Sequence, residues 1–177
     1  MSVAYQGIAG AFGHEACLAF LPGHQPIAKP SFGAVIQSVE AGDAEYGILP
    51  IENNEAGPVT EAQALIDGSS LAIVSEHWLA VRMHLLVLPD VQLAQVRVVE
   101  SHPVALLQCT RTIAALGIPT EAAANTAVAA QQLRGRDRAV LASEAAAAAY
   151  GLTILRRDVH DRADNATRFA VLAREGR

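Results

Sequence analysis

Several short stretches carry side chains that could do chemistry. The run Pro50-Ile51-Glu52-Asn53-Asn54-Glu55-Ala56-Gly57-Pro58-Val59-Thr60 places two carboxylates and two amides between an apolar segment and a helical one. Such a polar cluster either caps the following helix or holds a ligand, and spacing alone favours capping. The run Asp164-Asn165-Ala166-Thr167-Arg168-Phe169 precedes a final apolar strand. Its guanidinium has the planar fork that binds carboxylates, although an arginine in that place reads by itself as a surface ion pair. Ser101-His102-Pro103, Asn125-Thr126 and Ser143-Glu144 stand where strand patterns give way to helix patterns. Helix starts offer unpaired N–H groups and partial positive charge, so these turns suit an anion. Every α/β protein has such turns, and most of them bind nothing.

Other motifs dissolve on inspection. Gly7-Ile8-Ala9-Gly10-Ala11-Phe12-Gly13 lacks the spacing of a dinucleotide loop and reads as a tight turn. His14 and Cys17 lie one helical turn apart, but no further metal ligands stand at recognisable spacing, so no metal and no cofactor are expected. Asn165-Ala166-Thr167 fits a glycosylation sequon by coincidence, because no secretory leader is visible.

The chain has 177 residues, 51% of them hydrophobic and only 5% aromatic, so its core is built from Ala, Val, Leu and Ile. The many short Ala runs imply helices packed close against a sheet. A formal charge of -5 without a Lys/Arg cluster speaks against nucleic acid. No apolar run reaches the ~20 residues of a membrane span. Cys17 and Cys109 read as buried thiols in a reducing cytoplasm rather than as a disulfide.

Strand and helix patterns alternate. Strands are expected at Val3–Gln6, Tyr46–Leu49 (ended by Pro50), Leu71–Val74, Leu79–Leu88, Val96–Glu100, Arg138–Ala142, Leu152–Leu155 and Thr167–Ala173. Helices are expected at Ala11–Phe20, Ala34–Ala41, Thr60–Ile66 (with Thr60 as cap), His102–Leu116, Thr126–Leu133 (capped by Asn125) and Glu144–Ala149. That alternation implies an α/β protein with mostly parallel sheets.

Taken in order, the motifs resemble the prephenate dehydratase family nearly end to end. Val3-Ala-Tyr-Gln-Gly7 is similar to its opening strand and turn. Gly47-Ile-Leu-Pro-Ile-Glu-Asn53 resembles its G-V-x-P-I-E-N segment. Ser101-His-Pro103 with Gln108-Cys109 resembles S-H-P-x-A-x-x-Q-C, and Asn125-Thr126-Ala127 stands where Ser-Thr-Ala is frequent. Ala142-Ser-Glu-Ala145 with Tyr150-Gly-Leu152, and Asn165-x-Thr-Arg-Phe169, complete the set. Departures fall at Ala11 and Gly13 (usually hydroxyl residues), Asn54 (usually Ser), Val104 (often Gln) and Ala124 (a position that can carry Glu).

The resemblance implies two lobes of the type-II periplasmic-binding-protein kind with a central cleft. One lobe would hold residues 1–77 and 158–177, the other 78–157. It implies a cytoplasmic lyase acting on prephenate, with no cofactor, and it suggests a homodimer. Carried over from the family, Thr167 would assist the departing hydroxide with Arg168 beside it. Glu52, Asn53, Ser101, Gln108, Asn125, Thr126 and Phe169 would bind the substrate. The chain stops eight residues after Phe169, so the family's phenylalanine-sensing ACT domain is expected to be missing and feedback with it. Two other readings stay open: a decarboxylase that leaves the ring non-aromatic, and a binding module without catalysis.

Overall fold

The computed structural model describes residues 1–176. The chain forms two compact units, one built from Met1–Ile8, Phe12–Val81 and the residues from Asn165 on, the other from Ala9–Ala11 and Arg82–Asp164.

The first unit opens with β1 (Ser2–Gln6), α1 (Phe12–Phe20), β2 (Gln25–Lys29), α2 (Phe32–Glu40), β3 (Tyr46–Asn53), β4 (Gly57–Pro58), α3 (Thr60–Asp67) and β5 (Leu71–Ala80). The second contains β6 (His84–Val87), β7 (Val98–Ser101), α4 (Pro103–Leu107), α5 (Thr110–Leu116), β8 (Thr120–Ala122), α6 (Thr126–Gln132), β9 (Arg138–Ala142), α7 (Glu144–Tyr150) and β10 (Thr153–Arg156). The chain then returns to the first unit as β11 (Ala166–Arg174).

Each sheet is mixed, not mostly parallel. In the first, ordered β2-β1-β3-β11-β5, the first three strands run parallel and β11 runs antiparallel to both its neighbours. The returning strand enters from the opposite end, which fixes that direction. In the second, ordered β10-β6-β9-β7-β8, β7 is parallel to β8 and β9, whereas β6 is antiparallel to β9 and β10.

Apolar side chains cover both faces of the first sheet. Val3, Tyr5, Ile48, Phe169 and Val171 pack with Ala16 and Cys17 of α1. Leu49, Ile51, Ala170 and Leu172 pack on the other face with Val35 and Val39 of α2 and Ala62 of α3. In the second unit Ala129, Ala130, Ala146 and Ala147 lie against Leu86, Val140 and Ala142, the close helix-to-sheet packing expected of an Ala-rich chain.

Pro50 does not end its strand: β3 continues to Asn53. Strand β1 pairs only with Tyr46–Ile48, and a register shift against β11 falls beside Pro50. A proline is tolerated where one flank is unpaired or bulged. Glu52 and Asn53 are therefore strand residues held by a ladder. Capping is not their task either, since α3 begins after Val59 without a side-chain cap and Thr60 is its first helical residue.

The expected helix over 102–116 is broken at Gln108–Cys109, where α5 starts afresh. Asp161 accepts from the N–H groups of Thr110 and Arg111 at 2.9 and 3.0 Å, so a carboxylate distant in sequence caps it. The division of the chain also falls later than expected, after Val81 and Asp164. Strand β5 runs to Ala80 beside β11, while Val159 N–H donates to the Met83 carbonyl at 2.9 Å and Asp158 N–H to His84 Nδ1 at 3.0 Å, at the start of β6.

Gly10 is a required glycine. Its φ is +83°, and a Cβ there would lie 2.6 Å from the Ala146 Cα. Ser143 Oγ donates to the Gly10 carbonyl at 2.7 Å and accepts from Ala146 N–H at 3.0 Å, while Tyr150 donates to the Ala9 carbonyl at 2.6 Å. The Ala9–Ala11 segment is thereby locked onto α7.

Candidate active site

The antiparallel pairing of β3 with β11 sets Asn53 opposite Thr167 and Glu52 opposite Arg168. The ends of the two strands are sewn together by Asn54, whose N–H donates to the Ala166 carbonyl at 3.1 Å and whose Oδ1 accepts from Ala166 N–H at 2.9 Å.

The orientation of Asn53 follows from its neighbours. Its Oδ1 accepts from the N–H groups of Glu55 and Ala56, both at 2.9 Å. Two donors converge there, so that atom must be the oxygen. Nδ2 is then directed at Thr167 Oγ1 (2.9 Å), Asn165 Oδ1 (3.0 Å) and the Ala166 carbonyl (3.1 Å). Because Thr167 Oγ1 accepts from Asn53, its own hydroxyl proton is left to be donated elsewhere. Among the described residues Asn53 is the side chain bonded to that hydroxyl, and it is an amide, not a base.

Neighbouring strand residues point to opposite faces. Thr167 stands opposite Leu79, on the face of Phe169, whereas Arg168 stands opposite Trp78. Arg168 Nη2 donates to Glu52 Oε2 at 2.6 Å and Nη1 to Glu76 Oε2 at 2.8 Å. Its guanidinium carbon lies 5.7 Å from the centre of the Trp78 ring. The fork that was to clamp a substrate carboxylate is thus occupied by two carboxylates of β3 and β5, and the trio carries net negative charge. Arg168 forms ion pairs that tie β3, β5 and β11 together.

The other expected binding residues divide. Phe169 is 2% exposed and belongs to the core against α1. Ser101 is fully buried and donates to the Leu141 carbonyl at 2.7 Å, which makes it a tie between β7 and β9. Asn125 caps α6 as expected, with Oδ1 accepting from Val128 N–H at 2.7 Å. Thr126, the first residue of α6, and Gln108, at the end of α4, are half-buried and bonded to no other side chain among the described residues. Glu76 and Trp78 escaped notice in the sequence, since nothing local marks them as partners of Arg168. Asn165 stood inside the N-x-T-R-F motif without a role; it is 2% exposed and accepts from Asn53.

No group of three or more His, Cys, Asp or Glu side chains among the described residues could hold a metal ion. Burial pushes the Cys17 thiol up to about 12, which leaves it unreactive, and no disulfide joins it to Cys109. No helix among the described residues is long and apolar enough to cross a membrane.

The family model for prephenate dehydratase matches residues 3–177. The chain belongs to the prephenate dehydratase family. These enzymes are lyases that couple dehydration to decarboxylation. An arogenate dehydratase/prephenate dehydratase 2 from Arabidopsis thaliana, described as chloroplastic, is 40% identical over 176 residues, or 98% of this chain and 46% of that protein. A bifunctional N-acyl-homoserine lactone acylase/prephenate dehydratase from Komagataeibacter europaeus is 39% identical over 97% of this chain and 62% of its own length. The chain therefore spans about half to three-fifths of these relatives. The crystal structure of a prephenate dehydratase from Arthrobacter aurescens in complex with L-Phe superposes with a TM-score of 0.90 at 26% identity, over 100% of this chain and 61% of that one. A periplasmic substrate-binding protein from Coxiella burnetii shares the fold alone, with a TM-score of 0.52 and 13% identity over 99% of this chain and 85% of that one. The expected α/β architecture of the periplasmic-binding-protein kind is the one observed.

Proposed function

We propose that the chain catalyses the decarboxylating dehydration of prephenate to phenylpyruvate, carbon dioxide and water. The observation that carries this reading is the Thr167 hydroxyl, which accepts from Asn53 and keeps its own proton available for donation. In the reaction the bond from the ring to its carboxylate breaks and releases carbon dioxide. The electron pair completes the aromatic ring and expels the hydroxyl with its bonding pair. The departing hydroxide takes up one proton from solvent and becomes water. Thr167 is too weak an acid to hand over its proton early, so it donates a hydrogen bond that strengthens as charge collects on the leaving oxygen. Arg168, neutralised on the opposite strand face, offers no free cation to grip the carboxylate that must leave; such a grip would stabilise the ground state. The thiols buried in both units fit a reducing compartment such as the cytoplasm.

The acylase activity named for the Komagataeibacter protein calls for an activated nucleophile. Thr167 has an amide, not a base, as its side-chain partner, and this favours the dehydratase reading. The test is ultraviolet spectroscopy and product analysis of the pure chain with prephenate and, separately, with arogenate. Phenylpyruvate is the expected product from prephenate. A dihydro product would make the chain a non-aromatising decarboxylase, and unchanged substrate would make it a binding module. Turnover of arogenate alone would move the substrate while keeping the chemistry.

A further inference from the structure

The hydrogen bonds around Asn53 run in one direction and stop short. Backbone N–H groups of Glu55 and Ala56 donate to Asn53 Oδ1, and Asn53 Nδ2 donates onward to Thr167 Oγ1 and Asn165 Oδ1. Asn165 is itself fixed, with its carbonyl accepting from Val81 N–H at 2.8 Å. Since its Oδ1 is an acceptor, its Nδ2 must be the donor end, and this atom is buried with no partner among the described residues. Asn165 is 2% exposed. A shielded donor left unpaired costs about 1–3 kcal/mol, and folded proteins rarely tolerate one without a use for it. The relay therefore ends in two unspent donors that share Asn53 as their common anchor: the Thr167 hydroxyl and the Asn165 amide.

We infer that Asn165 is a second catalytic donor, whose Nδ2 binds the substrate oxygen that leaves as hydroxide, alongside Thr167. The inference rests on the dehydratase reading and extends it. Two donors converging on one oxygen stabilise developing negative charge better than a lone alcohol does, and neither needs to ionise. Asn53 is then a positioning residue: it aims both donors and touches neither the reacting carbon nor the leaving oxygen.

Asn165→Asp separates this role from a merely structural one. The carboxylate has the same shape and keeps an oxygen to accept from Asn53, so Thr167 stays oriented. It has lost the N–H donor and, once ionised, repels the departing hydroxide. The expected result with prephenate is a kcat lowered on the order of 100-fold or more, with KM little changed, and a deficit that deepens as pH rises. Asn165→Ala should lose at least as much. Near wild-type kcat for Asn165→Asp, with a loss confined to Asn165→Ala, would overturn the inference and leave Asn165 as a prop for Asn53. In the wild-type chain, the side-chain amide proton resonances of Asn165 should shift when a ring-saturated prephenate analogue that keeps the hydroxyl is added. Their failure to move would likewise overturn it, whatever the variants' folding. Wild-type chain inert toward both prephenate and arogenate would instead remove the dehydratase reading, and this inference with it.

Discussion

Replacing Thr167 by alanine isolates the hydroxyl on which the proposed mechanism depends. The substitution has two separate effects, one on folding and one on catalysis. In Thr167→Ala, Asn53 Nδ2 loses one acceptor but keeps Asn165 Oδ1 at 3.0 Å and the Ala166 carbonyl at 3.1 Å, so no buried donor is orphaned. The cost to folding should then be about 1 kcal/mol or less. The cost to catalysis is larger, because the hydrogen bond to departing hydroxide is made fully only in the transition state. A loss of ~10²–10⁴-fold in kcat corresponds to about 3–5 kcal/mol. KM should stay within a small factor, since the ground-state hydroxyl is held only weakly. Thr167→Ser restores the oxygen and should regain most of the rate; it loses only the methyl that limits χ1 rotation in the strand. Steady-state kinetics with prephenate, on variants whose thermal unfolding has been measured, gives both numbers. A Thr167→Ala chain that retains near wild-type kcat would refute the assignment. So would a serine variant as impaired as the alanine one, because then the hydroxyl is not what matters.

Arg168→Met should leave the KM for prephenate within about twofold, because the guanidinium already spends its fork on Glu52 and Glu76. It should lower stability by about 1 kcal/mol, the scale of partly exposed ion pairs; a KM raised tenfold or more would restore the carboxylate clamp. Acid should weaken the second unit through His84. This side chain is 3% exposed, burial lowers its pKa from 6.5, and Nδ1 accepts from Asp158 N–H at 3.0 Å. The unfolded chain takes up the proton first, so the neutral ring's contribution is complete above 6.5 and erodes as pH falls below that value. Melting temperature measured against pH should show this slope, and His84→Gln, which keeps an acceptor but does not titrate, should flatten it. An unchanged slope in that variant would assign the acid sensitivity to other groups.

What sequence alone determined about this protein lies where the physics is local. The strands Val3–Gln6, Arg138–Ala142 and Thr167–Ala173 were legible because their apolar runs are central and buried. The caps at Asn125 and the stop at Gly151 were legible because a side chain two or three residues away, or a left-handed φ of 63°, settles them. Strands β2 and β8 went unseen: both lie at sheet edges, β2 carries Pro26, and β8 is exposed throughout, so neither leaves an apolar pattern. Motif order was enough to place the chain in its family and to draw Thr167 and Asn53 into one candidate set. Only the tertiary structure could decide what those residues do to one another. The Asn53–Thr167 bond joins residues 114 positions apart, and the β3–β11 register that makes it is set by packing along both strands. That pairing delivers Glu52 to Arg168, on the face opposite Thr167, and the pairing of β11 with β5 delivers Glu76. Adjacency in sequence suggested that Thr167 and Arg168 act together; the two-residue period of a strand sends them to opposite sides.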